Sequence, residues 1–492
     1  MPMHTVCRAL AVALVIPAAA AAQSVEELKR ELDAMKRRVE TLERKLDEKG
    51  AAERPAAAAG DTGPPVTALD RALEDARDAA ASAPARPADP TAPILREPAP
   101  EPLLGRRMGA ATLRLIDVSF DVLTAAGWST ADDHELESLE GGAHDPNQRG
   151  FTLQQGELSL MGAVDPYFTA EGHIVFTPDG VELEEAFALT TALPYGLQVE
   201  AGYFFTEFGR LNPMHPHAWE WMDQPVINSR LFGGDGLRNP GVRVGWLLPV
   251  PWFAELHLGA QNATGETAMS FLGAAGGGHA HDEDEDEEEG GIGGRPGTDR
   301  SVSSVGDLLY LARVANGFTL TDSVSAAIGV SALFGPNATG SDERTYIYGT
   351  DLVVKWRPSR NFRGWPFLVW QTEAMQRDYQ AASVPDLALP STTLHDWGLY
   401  TQLLWGFHYG WATGLRYEYA GGSGESVGGR SADPFRDDRH RVAPLLSWQP
   451  SEYARLRLQY NYDRAPFLDD GDAHSVWVGL EVLYGAHPAH QY

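Results

Sequence analysis

From residue 108 onward apolar and polar residues alternate with a period of two, in segments of about ten residues, the spacing of strands whose faces meet different surroundings. In ARLRLQYNY, Ala454, Leu456, Leu458, Tyr460 and Tyr462 share one face, and Arg455, Arg457, Gln459 and Asn461 the other. In FAELHLGAQ, Ala254, Leu256, Leu258 and Ala260 oppose Glu255, His257, Gly259 and Gln261. The pattern predicts about sixteen such strands between residues 112 and 484. Their connections alternate in length. Tight turns such as VDPY, ALPYG, LPVPW, NGFT, HYG and QPSE follow even-numbered strands, with RPSRNFRGW the longer exception, whereas most connections after odd-numbered strands are long and polar. A soluble sandwich has no reason to sort loop length by parity. A transmembrane antiparallel β-barrel does, with short turns on one side of the membrane and long loops on the other. Aromatics at strand ends, among them Trp246, Trp252, Trp356, Trp411 and Tyr484, fit interfacial girdles. With an interior of Arg, Glu, Gln and His, a barrel of this strand number is expected to be a water-filled channel.

One connection stands apart. Residues 206–241, TEFGRLNPMHPHAWEWMDQPVINSRLFGGDGLRNPG, form the third long loop and are too rich in Pro, Trp and other apolar residues for a floppy surface tip. The expectation is a segment folded into the barrel that narrows the pore. His215 and His217 straddle Pro216, which biases His215 toward extended backbone, so both imidazoles would point the same way. Either they face the lumen near Glu207, Glu220 or Asp223, or they are satisfied by hydrogen bonds while Pro and Trp pack the loop on the wall. Arg243, Arg455 and Arg457 are expected to form a basic wall opposite this acidic loop. Other predicted lumen residues are Asp117, Asp121, Glu157, Glu182, Glu184, Glu200, Glu255 and His257, so acid outnumbers base.

The chain before the barrel reads differently. Residues 1–22 carry Arg8, the apolar run 9–16 and an A-x-A site before Gln23, the layout of an export signal peptide. In residues 23–49, Val25, Leu28, Leu32, Met35, Val39, Leu42 and Leu46 follow a 3,4 spacing, the a/d seam of a periplasmic α-helical coiled coil that pairs with copies of itself. Residues 50–107 turn to Ala and Pro, an extended linker that buries no core.

Composition narrows the function. Cys7 is the only cysteine and lies in the signal segment, which excludes disulfides, Cys-ligated zinc and cysteine catalysis from the exported chain. A formal net charge of -29 argues against nucleic acid and favours small cations in the protein's field. The longest loop contains GGGHAHDEDEDEEEGG, in which His279 and His281 precede a carboxylate run opening with Asp282, Glu283 and Asp284. The strip offers imidazole nitrogens to zinc and carboxylates to calcium. It reads either as a solvated strip bridging lipopolysaccharide through divalent ions or as a transition-metal trap. No cofactor is required. No G-x-S-x-G, H-E-x-x-H or Walker spacing is present, so an enzyme is not expected.

Strand number, loop parity, a long third loop and the terminal aromatic Tyr492 together resemble the general porins of Gram-negative outer membranes. A coiled coil ahead of a sixteen-stranded barrel is also similar to the phosphate-selective porin group, and that resemblance implies a homotrimer. The third loop has no lysine and the long loops are acidic, so phosphate selectivity is not implied. The expected function is an outer-membrane channel for passive uptake of small hydrophilic solutes, cation-biased and open to a divalent metal such as zinc. The alternative is a structural barrel that tethers the envelope through its coiled coil and linker. An energised receptor would need about 22 strands and a plug, for which the chain is too short.

Overall fold

The computed structural model describes residues 104–108, 111–275, 291–298, 300–424 and 433–485. The signal peptide, the coiled coil, nearly all of the linker, Tyr492 and the strip with His279, His281, Asp282, Glu283 and Asp284 lie outside the described residues.

Seventeen strands are present among the described residues: β1 Leu104–Met108, β2 Ala111–Ser129, β3 Gly150–Ala163, β4 Phe168–Phe176, β5 Val181–Thr190, β6 Leu197–Phe205, β7 Arg238–Leu247, β8 Phe253–Asn262, β9 Leu308–Thr321, β10 Val324–Pro336, β11 Arg344–Trp356, β12 Phe367–Ala381, β13 Thr392–His408, β14 Trp411–Ser423, β15 Arg439–Ser451, β16 Ala454–Arg464 and β17 Asp472–Gly485. From β2 onward each pairs antiparallel with its sequence neighbours, and β17 returns to β2 with Val482 opposite Val122, so sixteen strands close an all-β barrel. The short β1 lies against the start of β2. Two helices sit in the long loops, α1 at Asp133–Leu139 and α2 at Val226–Phe232. All sixteen strands expected from the alternation are found, several of them longer by a few residues.

The period of two has the expected physical cause. Along β17, Val476, Val478, Leu480 and Val482 are about half exposed, while Ser475, Trp477, Gly479 and Glu481 between them face inward and are buried. Along β16, Leu458 is exposed, and Arg455, Arg457, Gln459, Asn461 and Asp463 are buried. A closed barrel leaves no unpaired edge, and an apolar belt outside a polar interior is what lipid requires. The protein is an outer-membrane barrel. Its tight turns are locally made; in VDPY, Asp165 accepts from the backbone N–H of Tyr167 and Phe168, at 2.7 and 3.0 Å.

The interior is fuller than alternation alone implies. Residues 206–237 fold inward, and Phe208, Val226, Ile227, Leu231, Phe232 and Leu237 join Leu309, Leu311, Ile347, Met375 and Tyr400 of the wall in one apolar cluster. Trp221 packs on Trp365, Phe367, Leu404 and Leu445, and Met222 on Leu136, Leu468 and Trp477. Wall glycines make these seats. A Cβ on Gly349 would meet Phe208 at 2.6 Å, on Gly398 Ile227 at 2.8 Å and on Gly414 Trp221 at 2.8 Å, and one on Gly479 would collide with Met222. The loop is therefore keyed into notches rather than laid over a smooth surface.

Candidate functional site

The inward loop is a strap with partners on most of the wall. Its neck is closed by Asn212, which donates to the carbonyls of Thr206 and Leu237 at 2.7 and 3.0 Å and accepts from the Leu237 N–H at 2.8 Å. Wall side chains then take up its backbone polar groups: the N–H of Leu211 donates to Glu373, of Met222 to Gln459 and of Val226 to Glu418, at 2.8, 2.8 and 2.7 Å. Arg455 donates to the carbonyls of His217 and Trp219 at 2.8 and 2.9 Å, and Arg457 to that of Trp221 at 3.2 Å. Irregular backbone survives at membrane depth only with such partners.

On the β14–β17 flank the strap meets arginines. Asp223 lies 2.5 Å from both Arg416 and Arg441 and accepts from Gln459 and Asn461 at 2.7 and 2.9 Å. Arg441 also pairs with Glu140 and Asp463, both at 2.9 Å. Burial would raise the Asp223 carboxyl, but Arg416 and Arg441 beside it hold it at about 2. Arg455 and Arg457, whose side chains are only 1% exposed, share Glu481. Of the three arginines expected to form one basic wall, Arg455 and Arg457 lie together here with Arg416, Arg439 and Arg441, which the sequence reading did not single out, whereas Arg243 lies apart with Glu200 and Glu207. Its guanidiniums serve as clamps on carboxylates and strap carbonyls. Asp223 belongs to this wall rather than to the neighbourhood of the histidines.

On the β3–β5 flank the strap presents His215 and His217 to carboxylates. Glu157 of β3 lies at the centre, 3.2 Å from His215 Nδ1, 3.1 Å from His217 Nδ1 and 2.9 Å from His173 Nδ1. His215 Nδ1 is also 2.8 Å from Glu184, and its Nε2 is 2.8 Å from Glu185. Asp121 lies 3.8 Å from His217, and Ser159 lies 3.0 Å from His173. Burial opposes charge on His215, yet Glu157 and Glu184 raise it well above the ordinary imidazole value. Asp121, Glu157 and Glu184 were expected in the lumen; His173 and Glu185 were not named. The alternation of FTAEGHIVF places His173 inward with Glu171 and was a usable signal. For Glu185 no such signal existed. Opposite β4 the register slips between His173 and Ile174, so that Glu184 is an extra residue and both adjacent carboxylates become buried.

A third group is partly exposed. Arg243 binds Glu200 and Glu207 at 2.5 and 2.7 Å, with His257 3.3 Å away. The side chains of Glu207 and Glu255 are each 27% exposed, and Glu220, on the arginine flank 3.4 Å from Arg455, is similarly exposed at 26%. The eight residues expected at a constriction therefore fall into three groups. Glu207 joins Arg243; His215 and His217 join the carboxylates of β3 and β5; Glu220, Asp223, Arg455 and Arg457 lie on the arginine flank.

No family model matches the chain. A protein of Aquifex aeolicus (strain VF5), described only as uncharacterized, is 33% identical over 380 residues, covering 73% of this chain and 76% of that one. The chain belongs to the family of that Aquifex protein. Among solved structures, the outer membrane channel DcaP of Acinetobacter baumannii is 13% identical with a TM-score of 0.47, covering 75% of this chain and 97% of that one. An anion-selective porin from Comamonas acidovorans is 10% identical with a TM-score of 0.46, covering 75% and 99%. At identities and TM-scores this low, no residue role or solute preference passes from them to this member of the Aquifex family.

Proposed function

We propose that the chain is a porin-like channel for passive uptake of small hydrophilic solutes, biased toward cations and passing divalent ions such as zinc, assembled as a homotrimer. The carrying observation is the asymmetry of exposure within the barrel. Arg416, Arg439, Arg441, Arg455 and Arg457 of β14–β16 are buried and occupied by carboxylates and strap carbonyls, whereas Glu207, Glu220 and Glu255 keep about a quarter of their side-chain surface. Glu220 is flanked by Arg455 and Arg457 and, further off, by Lys355, beside which Arg210 and Arg357 lie. Fixed carboxylates that remain hydrated attract cations, and saturated guanidiniums offer anions little. The net charge of -29 acts in the same direction. The strip at 276–290 would bridge lipopolysaccharide through divalent ions outside the pore.

A second reading has its own support. The apolar clusters around the strap fill much of the interior, as they would in a barrel serving as an envelope anchor. Planar-bilayer recording separates the two. A channel gives discrete conductance steps and a reversal potential of cation sign in a salt gradient. Anion preference removes the proposed bias, and absence of conductance favours the anchor.

A further inference from the structure

We propose that Glu157, His173, His215 and His217, with Glu184 and Glu185 beside them, form a binding site for one divalent transition-metal ion of the zinc type. Donor atoms are drawn together from four separate parts of the chain, β3, β4, β5 and the strap. One oxygen of Glu157 and one nitrogen each of His215 and His217 all lie within 4.8 Å of one another, as do donor atoms of His173, Glu185 and His215. Around a tetrahedral zinc with bonds of about 2.0–2.1 Å, neighbouring donors sit about 3.3 Å apart. Glu157 Oε2 is 3.2 Å from His215 Nδ1 and 3.1 Å from His217 Nδ1, so two edges of such a tetrahedron are nearly in place.

Protons alone satisfy this arrangement poorly. An imidazole nitrogen carries at most one hydrogen. His215 Nδ1 nevertheless lies within 3.2 Å of both Glu157 and Glu184, and the near oxygen of Glu184 is buried without hydrogen-bond geometry to it. Gln155, next to Glu157, likewise has a buried Oε1 with no hydrogen-bond partner among the described residues. A cation between the carboxylates and imidazoles resolves the conflict. It lets His215 Nδ1 direct a lone pair at the ion while Glu157 and Glu184 bind the same charge.

The surroundings also fit. Glu171, 3.9 Å from His173 Nε2, can orient that imidazole from behind, and Asp121, 3.8 Å from His217 Nδ1, adds a further carboxylate on the donor side. The ring of Phe205 packs edge-on against His215 with centroids 5.5 Å apart, which limits its rotation. A recess lined by Glu184, Phe205, Met214 and Trp219 adjoins the cluster. Mixed imidazole and carboxylate donors without thiolate suit zinc, cobalt or nickel better than calcium or magnesium, which prefer oxygen alone. As a holding point on a permeation route the site rests on the channel reading above; as a metal site it does not.

The test uses full-length protein in detergent, stripped with chelator, compared with a form lacking residues 276–290 so that the acidic strip contributes nothing. Cobalt is titrated by its visible absorption, and zinc is then titrated by displacement. The expected result is one strip-independent ion per chain with a low-coordinate cobalt spectrum. The His215→Ala/His217→Ala variant should lose more affinity than the about 10–100-fold caused by removing a supporting partner. If that variant fails to fold by circular dichroism, His173→Gln and Glu157→Gln are read in the same way. No bound ion in the strip-deleted protein, or unchanged affinity in folded variants, overturns the inference. Conductance of the same sample keeps the two claims apart. Channels without metal binding sink only the site, and metal binding without channels sinks only the channel.

Discussion

The strap is held on two flanks by opposite chemistry. Toward β14–β17, guanidiniums reach in from the wall and bind strap carbonyls and Asp223, with positive and negative groups matched and buried. Toward β3–β5, the strap brings imidazoles to a surplus of carboxylates, Asp121, Glu157, Glu184 and Glu185. The first flank is a closed account of charge. The second is short of positive charge unless protons or an ion supply it. One loop can therefore be fixed in position and still carry a responsive site, because anchoring and response occur on different walls.

Breaking the anchored flank should have the largest effect. Asp223→Ala leaves Arg416 and Arg441 buried with one shared partner fewer, and loss of one member of such a network costs about 3–5 kcal/mol. Hydrogen exchange at the amides of Met222 and Val226 should accelerate accordingly, and conductance should become noisy as the strap leaves the wall. Filling a notch comes next. Gly398→Leu or Gly414→Leu collides with Ile227 or Trp221 and should cost about 1–3 kcal/mol, seen as protease cleavage within 206–237 while the barrel remains folded.

Acid should separate the flanks without mutation. The Asp223 carboxyl is lowered from 3.8 to about 2, so its contribution is present above its unfolded value and is lost as pH falls through about 2. Exchange at Met222 and Val226 should therefore rise between about pH 4 and pH 2. Asp223→Asn should flatten that rise. The smallest expected quantity is a coupling. If the flanks are independent, Asp223→Ala and His215→Ala combine within about 0.5 kcal/mol in the exchange of Val226. A larger coupling would mean that the strap transmits between them.

The barrel was legible because its information is local. Alternation and turn chemistry are written within ten residues, and all sixteen strands follow from them. The inward course of the third loop was legible from composition, although its last residues, 238–241, belong to β7. Its contacts were not, because partners such as Glu157 for His215 and Arg441 for Asp223 come from distant strands. Glu185 shows the limit most clearly. Strict alternation turns it outward, and only pairing with β4 creates the slip that turns it inward. Gly349, Gly398, Gly414 and Gly479 were equally silent; in the sequence they are blanks in an alternating strand, and their role exists only once a side chain of the strap occupies them.

Those distant partners also impose an order on assembly. Trp219 accepts from Arg455 236 residues later, and Met222 donates to Gln459 237 residues later. The pairing of β6 with β7 does not by itself supply a seat for the segment between them. Full seating of the strap requires β16 beside it, a long-range condition in a chain whose strand pairs are nearly all between neighbours.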